Sequence, residues 1–185
     1  MADMKAALIA AMTKAGITDP DERAMIAAIA GGESGFAPQT EMSYAHTPNV
    51  RIRQIFGTRV PADDAALNAL KADDREFFDA VYGGRYGNRP GTDDGYTYRG
   101  RGPFQLTFRG NYDAIGKAIG QDLVGNPDLV NDPVIGAETA VAYIKARYHG
   151  GGFNMMLACV GWNTPDMRRR KTQLYQQFKA SGEFA

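Results

Sequence analysis

Apolar residues recur at helical spacing along most of this 185-residue chain. Met25, Ile26 and Ile29 fall on one face of a helix, as do Ile52, Ile55 and Phe56, then Leu67 with Leu70, and Phe77, Phe78 and Val81. The same spacing returns at Tyr112, Ile115 and Ile119, at Val134, Val141, Ile144 and Tyr148, and at Leu174, Tyr175 and Phe178. Each stripe predicts one amphipathic helix. The starts are marked as well. Pro follows a capping residue at Asp19-Pro20, Thr47-Pro48, Asp132-Pro133 and Thr164-Pro165, and Pro in the first turn gives up no hydrogen bond. Asp3 is placed to cap an N-terminal helix.

The pattern breaks between Tyr82 and Pro103. This insert holds seven glycines, Gly83, Gly84, Gly87, Gly91, Gly95, Gly100 and Gly102, where average usage of about 7% gives one or two. It also carries Tyr82, Tyr86, Tyr96 and Tyr98, with Arg85, Arg89, Arg99 and Arg101. Glycine loses more entropy on ordering than other residues, so the ordered loop needs a return. Close approach to a ligand is one, and a tight turn between helices is the other. The one strand candidate is Tyr96 to Thr107, where a short hairpin fits. The expectation is a single mostly α domain over residues 1–185, with an 82–107 insert that is a Gly-rich loop or short hairpin lining a substrate cleft.

Composition narrows the class. Hydrophobic residues are 44% and charged residues 23%, which is ordinary globular usage. Lys+Arg and Asp+Glu are each 21, for a net charge of zero. That argues against a nucleic-acid binder with a broad basic surface, although the four arginines of the insert can still make one cleft positive. The single Cys, Cys159, excludes an internal disulfide and fits synthesis in a reducing compartment; it reads as a small core residue, beside Met155 and Met156. His46 and His149 sit in no metal-ligand spacing, so neither a metal nor a cofactor is expected. No apolar run reaches the roughly 18–20 residues of a membrane span. Trp162 reads as core, or as a sugar-stacking ring. The run Arg168 to Lys171 cannot share one helix face, and is expected to be mostly solvated, with one member free to reach the cleft.

Three places could carry chemistry. Glu33 ends an apolar helix in Ala-Gly-Gly-Glu-Ser-Gly-Phe; it is either a local cap or an acid whose pKa burial would raise. Glu41 lies 8 residues on, past Pro38; it is either a solvated loop residue or the second carboxylate of a glycosidase pair. In Tyr98-Arg-Gly-Arg-Gly-Pro-Phe-Gln-Leu-Thr107, Gln105 and Thr107 have the same parity and point to one face of an extended segment. There they would hold sugar hydroxyls or orient a water. The arginines could instead be buried partners of Glu33 or of a nearby Asp.

The run YRGRGPFQLT, with Asn111-Tyr112 after it, resembles the signature of glycoside hydrolase family 19, which contains plant-type chitinases and many phage endolysins. Asn126-Pro-Asp-Leu-Val130 with Asp132-Pro133 resembles a second family segment, and Glu33-Ser34-Gly35 resembles its first catalytic segment. The likeness runs from about Ala24 to Tyr148, with a weaker tail to Phe178. Chitinases of the family usually separate their two catalytic glutamates by a longer, disulfide-bearing insertion, and tend to carry an aromatic where this chain has Gly110. The short gap and the single Cys resemble the endolysin branch.

The resemblance implies a lysozyme-like helical fold and inverting hydrolysis of a β-1,4 glycosidic bond of peptidoglycan. Glu33 would be the general acid, Glu41 the general base, and Thr107 would help hold the water. Gln105, Asn111, Tyr98, Arg99 and Asn163 would contact sugar. A loop Asp such as Asp93 or Asp94 is the alternative second carboxylate. Expected biology follows: a monomer made in the cytoplasm of an infected bacterium, released to the wall through a holin, with no separate wall-binding domain and no stable membrane insertion. The rivals are a lytic transglycosylase, since Glu33-Ser-Gly-Phe-Ala-Pro38 also resembles that family's E-S-x-F-x-P stretch, a chitinase, and a non-catalytic glycan-binding virion module.

Overall fold

The computed structural model describes residues 3–160 and 164–185. Ten α-helices lie among them: α1 (Met4–Lys14), α2 (Pro20–Ser34), α3 (Asn49–Phe56), α4 (Asp64–Leu70), α5 (Asp74–Tyr82), α6 (Asp94–Thr97), α7 (Arg109–Ile119), α8 (Pro133–Lys145), α9 (Phe153–Cys159) and α10 (Pro165–Ser181). The expected caps hold at four starts. Asp3, Asp19, Asp132 and Thr164 each accept a backbone N–H of the first turn. At Thr47-Pro48 the expectation fails: Pro48 is itself the cap residue, and no side chain caps α3.

Three apolar clusters organise the helices. The largest joins α1, α2, α8, α9 and α10 around Leu8, Met12, Ile26, Ile29, Ile144 and Phe178. Residues Arg23 to Gly32 of α2 are all buried, so this helix is central. A second cluster packs Ile52, Phe56, Leu67, Phe77, Phe78 and Val81 from α3, α4 and α5. A third gathers Tyr98, Leu106, Tyr112, Ile115, Leu123 and Val130 around α7. Each fully buried large apolar side chain contributes about 1.5–3 kcal/mol. Some expected core members lie outside: Val134 is 48% and Met155 56% exposed, and Cys159 is half-buried at the rim of the first cluster.

The insert is not a hairpin. Its ladder reduces to one antiparallel bridge between Arg101 and Leu106, and Tyr96 lies in the short helix α6. The insert instead ties helices together. Gly95 sits directly on the α5 backbone, where a Cβ would fall 2.6 Å from Asp79 Cα. Asn88, 4% exposed, donates from Nδ2 to Tyr82 O and accepts the Arg109 N–H at Oδ1. The Gly110 N–H goes to Tyr86 O at 3.0 Å. The loop after α5 thus caps the N-terminus of α7, which has no side-chain cap of its own.

Candidate active site

The segment 39–41 is laced to the insert. Glu41 N–H donates to Gly100 O at 2.7 Å, and Gly102 N–H donates to Gln39 O at 3.1 Å. Gln105 Nε2 donates to Gln39 O at 2.9 Å. Asn131, on the 3-10 turn Pro127–Asn131, closes the seam. Its Nδ2 donates to Thr40 Oγ1 at 2.8 Å and its Oδ1 accepts the Gly102 N–H at 3.1 Å. Two distant stretches of chain thereby hold Glu41 in place.

Three donors grip the Glu41 carboxylate. Tyr44 and Tyr82 both donate their hydroxyls to Oε1, at 3.0 and 2.9 Å. The Gly100 N–H donates to Oε2 at 3.1 Å. Burial pushes the Glu41 carboxyl above the usual range, while the Gly100 amide, the two phenols and the charge of Arg99 pull it back. Burial and the Glu41 charge hold both phenols well above their ordinary range, so they remain donors.

Gly100 leaves room for both side chains here. A Cβ on it would stand 2.7 Å from Gln105 Oε1 and 3.2 Å from Glu41 Oε2. Those two oxygens therefore converge over a bare backbone. Gln105 Nε2 already faces two acceptors, Gln39 O and Gly102 O, which turns Oε1 towards Glu41. Gln105 and Glu41 line a cavity of about 280 Å³ with Gln39, Thr40, Ser43 and Tyr44. A larger cavity of about 470 Å³, between α1, α7 and α8, has a floor of Ala11, Ala118 and Ala142 and lies elsewhere.

Glu33 stands in a different setting. It ends α2, and its Oε1 accepts from Lys171 Nζ of α10. The Glu33 side chain is 14% exposed and that of Lys171 0%. Gly31 and Gly32 make room for this contact. A Cβ on Gly32 would collide with the Lys171 stem, and one on Gly31 would lie 2.8 Å from the Phe36 ring. Gly35 and Phe36, at φ 62° and 64°, then turn the chain back towards residues 37–41. Among the described residues, Glu33 and Glu41 share no hydrogen-bond partner.

The other expected site residues fall in several places. Gln105 adopts φ 52°, so the extended parity with Thr107 does not hold. Thr107 is half-buried, and its Oγ1 donates to Gln105 O at 2.9 Å. Asn111 is engaged at both ends, with Nδ2 on Thr107 O and Oδ1 on Arg147 Nη2. Tyr98 is a core residue, 5% exposed, with its hydroxyl on Val124 O; it offers a sugar no surface. Arg99 stacks over the Tyr96 ring at 4.0 Å and adds positive charge near Glu41. Asn163 and Trp162 lie outside the described residues.

Two of the four arginines expected in a positive cleft are structural. Arg101 is 4% exposed and holds Asp128 Oδ1, Thr97 O, Arg99 O and Tyr112 Oη. Arg89 makes a two-pronged pair with the buried Asp94. Asp93 contacts Arg75 at 2.7 Å, and neither Asp93 nor Asp94 lines the cavity that Glu41 borders. The basic run meets its expectation: Arg168, Arg169 and Arg170 are exposed, and Lys171 is the one member turned inward, to Glu33. Sequence reasoning missed Tyr44, Tyr82 and Asn131. Their one signal was an aromatic or amide close to a motif, which many core residues share. No group of three or more His, Cys, Asp or Glu side chains among the described residues could hold a metal ion.

Known proteins resemble parts of this chain. Residues 78–165 match the family model described as "Chitinase class I". The match takes in the insert, Gln105, Thr107 and Asn111, but neither Glu33 nor Glu41. An acidic endochitinase of Petunia hybrida is 52% identical over 65 residues, covering 34% of this chain and 26% of that protein. Chitinase 8 of Oryza sativa subsp. japonica is 60% identical over 45 residues, covering 24% of this chain and 17% of that protein. The matched stretch thus spans only 26% and 17% of these two curated relatives. Among solved structures, chitinase C from Streptomyces griseus HUT6037 superposes with a TM-score of 0.56 at 19% identity, over 97% of this chain and 68% of that one. A bacterial family 19 chitinase superposes with a TM-score of 0.52 at 20% identity, over 97% and 84%. These structures share the mostly helical, lysozyme-like fold.

Proposed function

We infer from the match of residues 78–165 to the "Chitinase class I" family model a glycoside hydrolase of family 19 that hydrolyses the β-1,4 glycosidic bonds of an N-acetylated glycan, with Glu41 as general base. The observation that carries this reading is the grip on Glu41. Both lone pairs of Oε1 are taken by phenols, whereas Oε2 takes one amide and keeps a lone pair towards Gln105 Oε1. A water entering between the two oxygens donates one proton to each. Glu41 accepts its proton as the water attacks, and Gln105 fixes the direction of attack. Burial makes Glu41 a stronger base, and the three donors keep its ionised form available. Thr107 Oγ1 donates to the backbone carbonyl of Gln105 and so braces the turn from which the amide projects. Glu33, at the end of α2, supplies the acid and protonates the leaving oxygen while the water attacks the anomeric carbon from the opposite face; that single displacement inverts the configuration.

The substrate proposed is the glycan strand of peptidoglycan. The gap of 8 residues between Glu33 and Glu41 and the single Cys support it, and release to the bacterial wall through a holin is the corresponding biology. Chitin is the second reading, favoured by the chitinase relatives. The test is hydrolysis of purified peptidoglycan and of chitin oligomers by the parent protein and by Glu41→Gln. Reducing ends with added water, lost at least a hundredfold in Glu41→Gln, support the reading. Anhydro ends, or full activity in Glu41→Gln, overturn it, and the preferred polymer decides between the two substrates.

A further inference from the structure

We propose that Tyr86 and Phe108 form a stacking subsite for one sugar ring of the glycan, beside the Glu41 site. The inference rests on the glycan-hydrolase reading and adds a binding surface to it. Tyr86 is 67% exposed, although a tyrosine used as packing material would be covered. Its backbone has φ 44° and that of Phe108 φ 75°, a region that bulky residues rarely enter. Two such residues facing each other need a structural cause, and the contacts supply it.

Gly87 and Gly110 bring the two segments together backbone to backbone. A Cβ on Gly110 would fall 2.6 Å from Tyr86 O, and one on Gly87 would fall 2.9 Å from Gly110 N. The Gly110 N–H donates to Tyr86 O, and the Arg109 N–H donates to the buried Asn88. The result is a fixed ring pair, with centroids 4.8 Å apart and planes at 54°. The Arg85 guanidinium lies 5.4 Å from the Tyr86 centroid and 5.5 Å from that of Phe108, bracing both rings. The fold holds an aromatic side chain out in water, in an unfavourable backbone state, by several independent contacts.

Position identifies the occupant. Phe108 meets Tyr82 edge-on at 5.3 Å, and Tyr82 donates to Glu41 Oε1. The pair, with Tyr86 exposed and Phe108 half-buried, therefore lies one ring away from a residue that touches the base. A hexopyranose presents a face of C–H groups, and the electron-rich face of an aromatic ring attracts their positive hydrogens. Tyrosine does this with little loss of side-chain entropy. A strand lying across Glu41 would meet the Tyr86 ring with a neighbouring sugar.

The test is calorimetric binding of a chitin hexasaccharide and of peptide-stripped peptidoglycan strands to Glu41→Gln protein, which leaves the ligand intact. Tyr86→Asn in that background keeps a residue tolerant of positive φ and is expected to weaken binding about tenfold. Tyr86→Trp is expected to bind at least as tightly as the parent. Unchanged affinity in Tyr86→Asn overturns the subsite. Weaker binding by a folded Tyr86→Trp overturns it too, and this arm stands if the Asn variant does not fold. When wild-type protein cleaves glycan but Tyr86→Asn binds normally, the subsite alone is lost. When wild-type protein cleaves neither polymer and the Glu41→Gln protein binds neither, the hydrolase reading falls and takes the subsite with it.

Discussion

Lys171 is wholly buried on α10 and donates to Glu33 at the far end of α2. It is the one member of its basic run with no exposed surface, and the glycine notch at Gly32 exists for its stem. Replacing it by Met leaves a mostly buried carboxylate without this ammonium. Lys171→Met is expected to lose about 3 kcal/mol of stability in urea titration. Glu33→Gln added to it should recover part of the stability.

Tyr82 helps to keep Glu41 ionised, because its hydroxyl donates to the charged form and lowers the Glu41 pKa. Tyr82→Phe removes that donor, so the pKa rises further. A base must be deprotonated, so the acidic limb of the activity profile moves to higher pH. A purely structural defect would instead lower the rate equally at every pH. The full pH–rate profile of Tyr82→Phe separates the two.

Glu41 carries a stability signature of opposite sign to a salt-bridged acid. Its folded pKa lies above its unfolded value because burial penalises the charge. The penalty is absent below the unfolded pKa, about 4.3, and is complete once pH exceeds the folded pKa. The melting temperature of Glu41→Gln relative to wild type is therefore expected to rise as pH increases from 4 to 7, to within about a unit. Paired melts across that window check it.

Arg101 is a structural arginine in the middle of the most specific motif. It holds two carbonyls, the Tyr112 phenol and the Asp128 carboxylate while itself 4% exposed. Arg101→Met strands those acceptors and should cost about 3–5 kcal/mol. Arg99→Met, which removes stacking over Tyr96, should cost roughly 1 kcal/mol. Denaturant midpoints distinguish them.

The helices were legible because caps and apolar spacing are local. Asp19, Asp132 and Thr164 bond within three residues of themselves, so sequence displays them directly. Glu33 was visible as a motif residue and Glu41 only as a carboxylate 8 positions on; their surroundings were not. The phenol that meets Glu41 from α5 is 41 positions away, and the ammonium that meets Glu33 is 138 away. The parity argument for Gln105 and Thr107 failed because it assumed an extended chain, and Gln105 turns at φ 52°. Tyr98 looked like a contact because it opens the motif, yet it packs tilted on Tyr112 at 5.4 Å.

The seam between residues 39–41 and 100–102 consists of a few backbone and amide hydrogen bonds rather than a packed helix face. Gentle warming or a single protease cut in the glycine-rich stretch should therefore silence the protein while its helical circular dichroism stays intact. Its working lifetime would be set by the weakest strip of the molecule, and adding bulk to the helical core would do little to lengthen it.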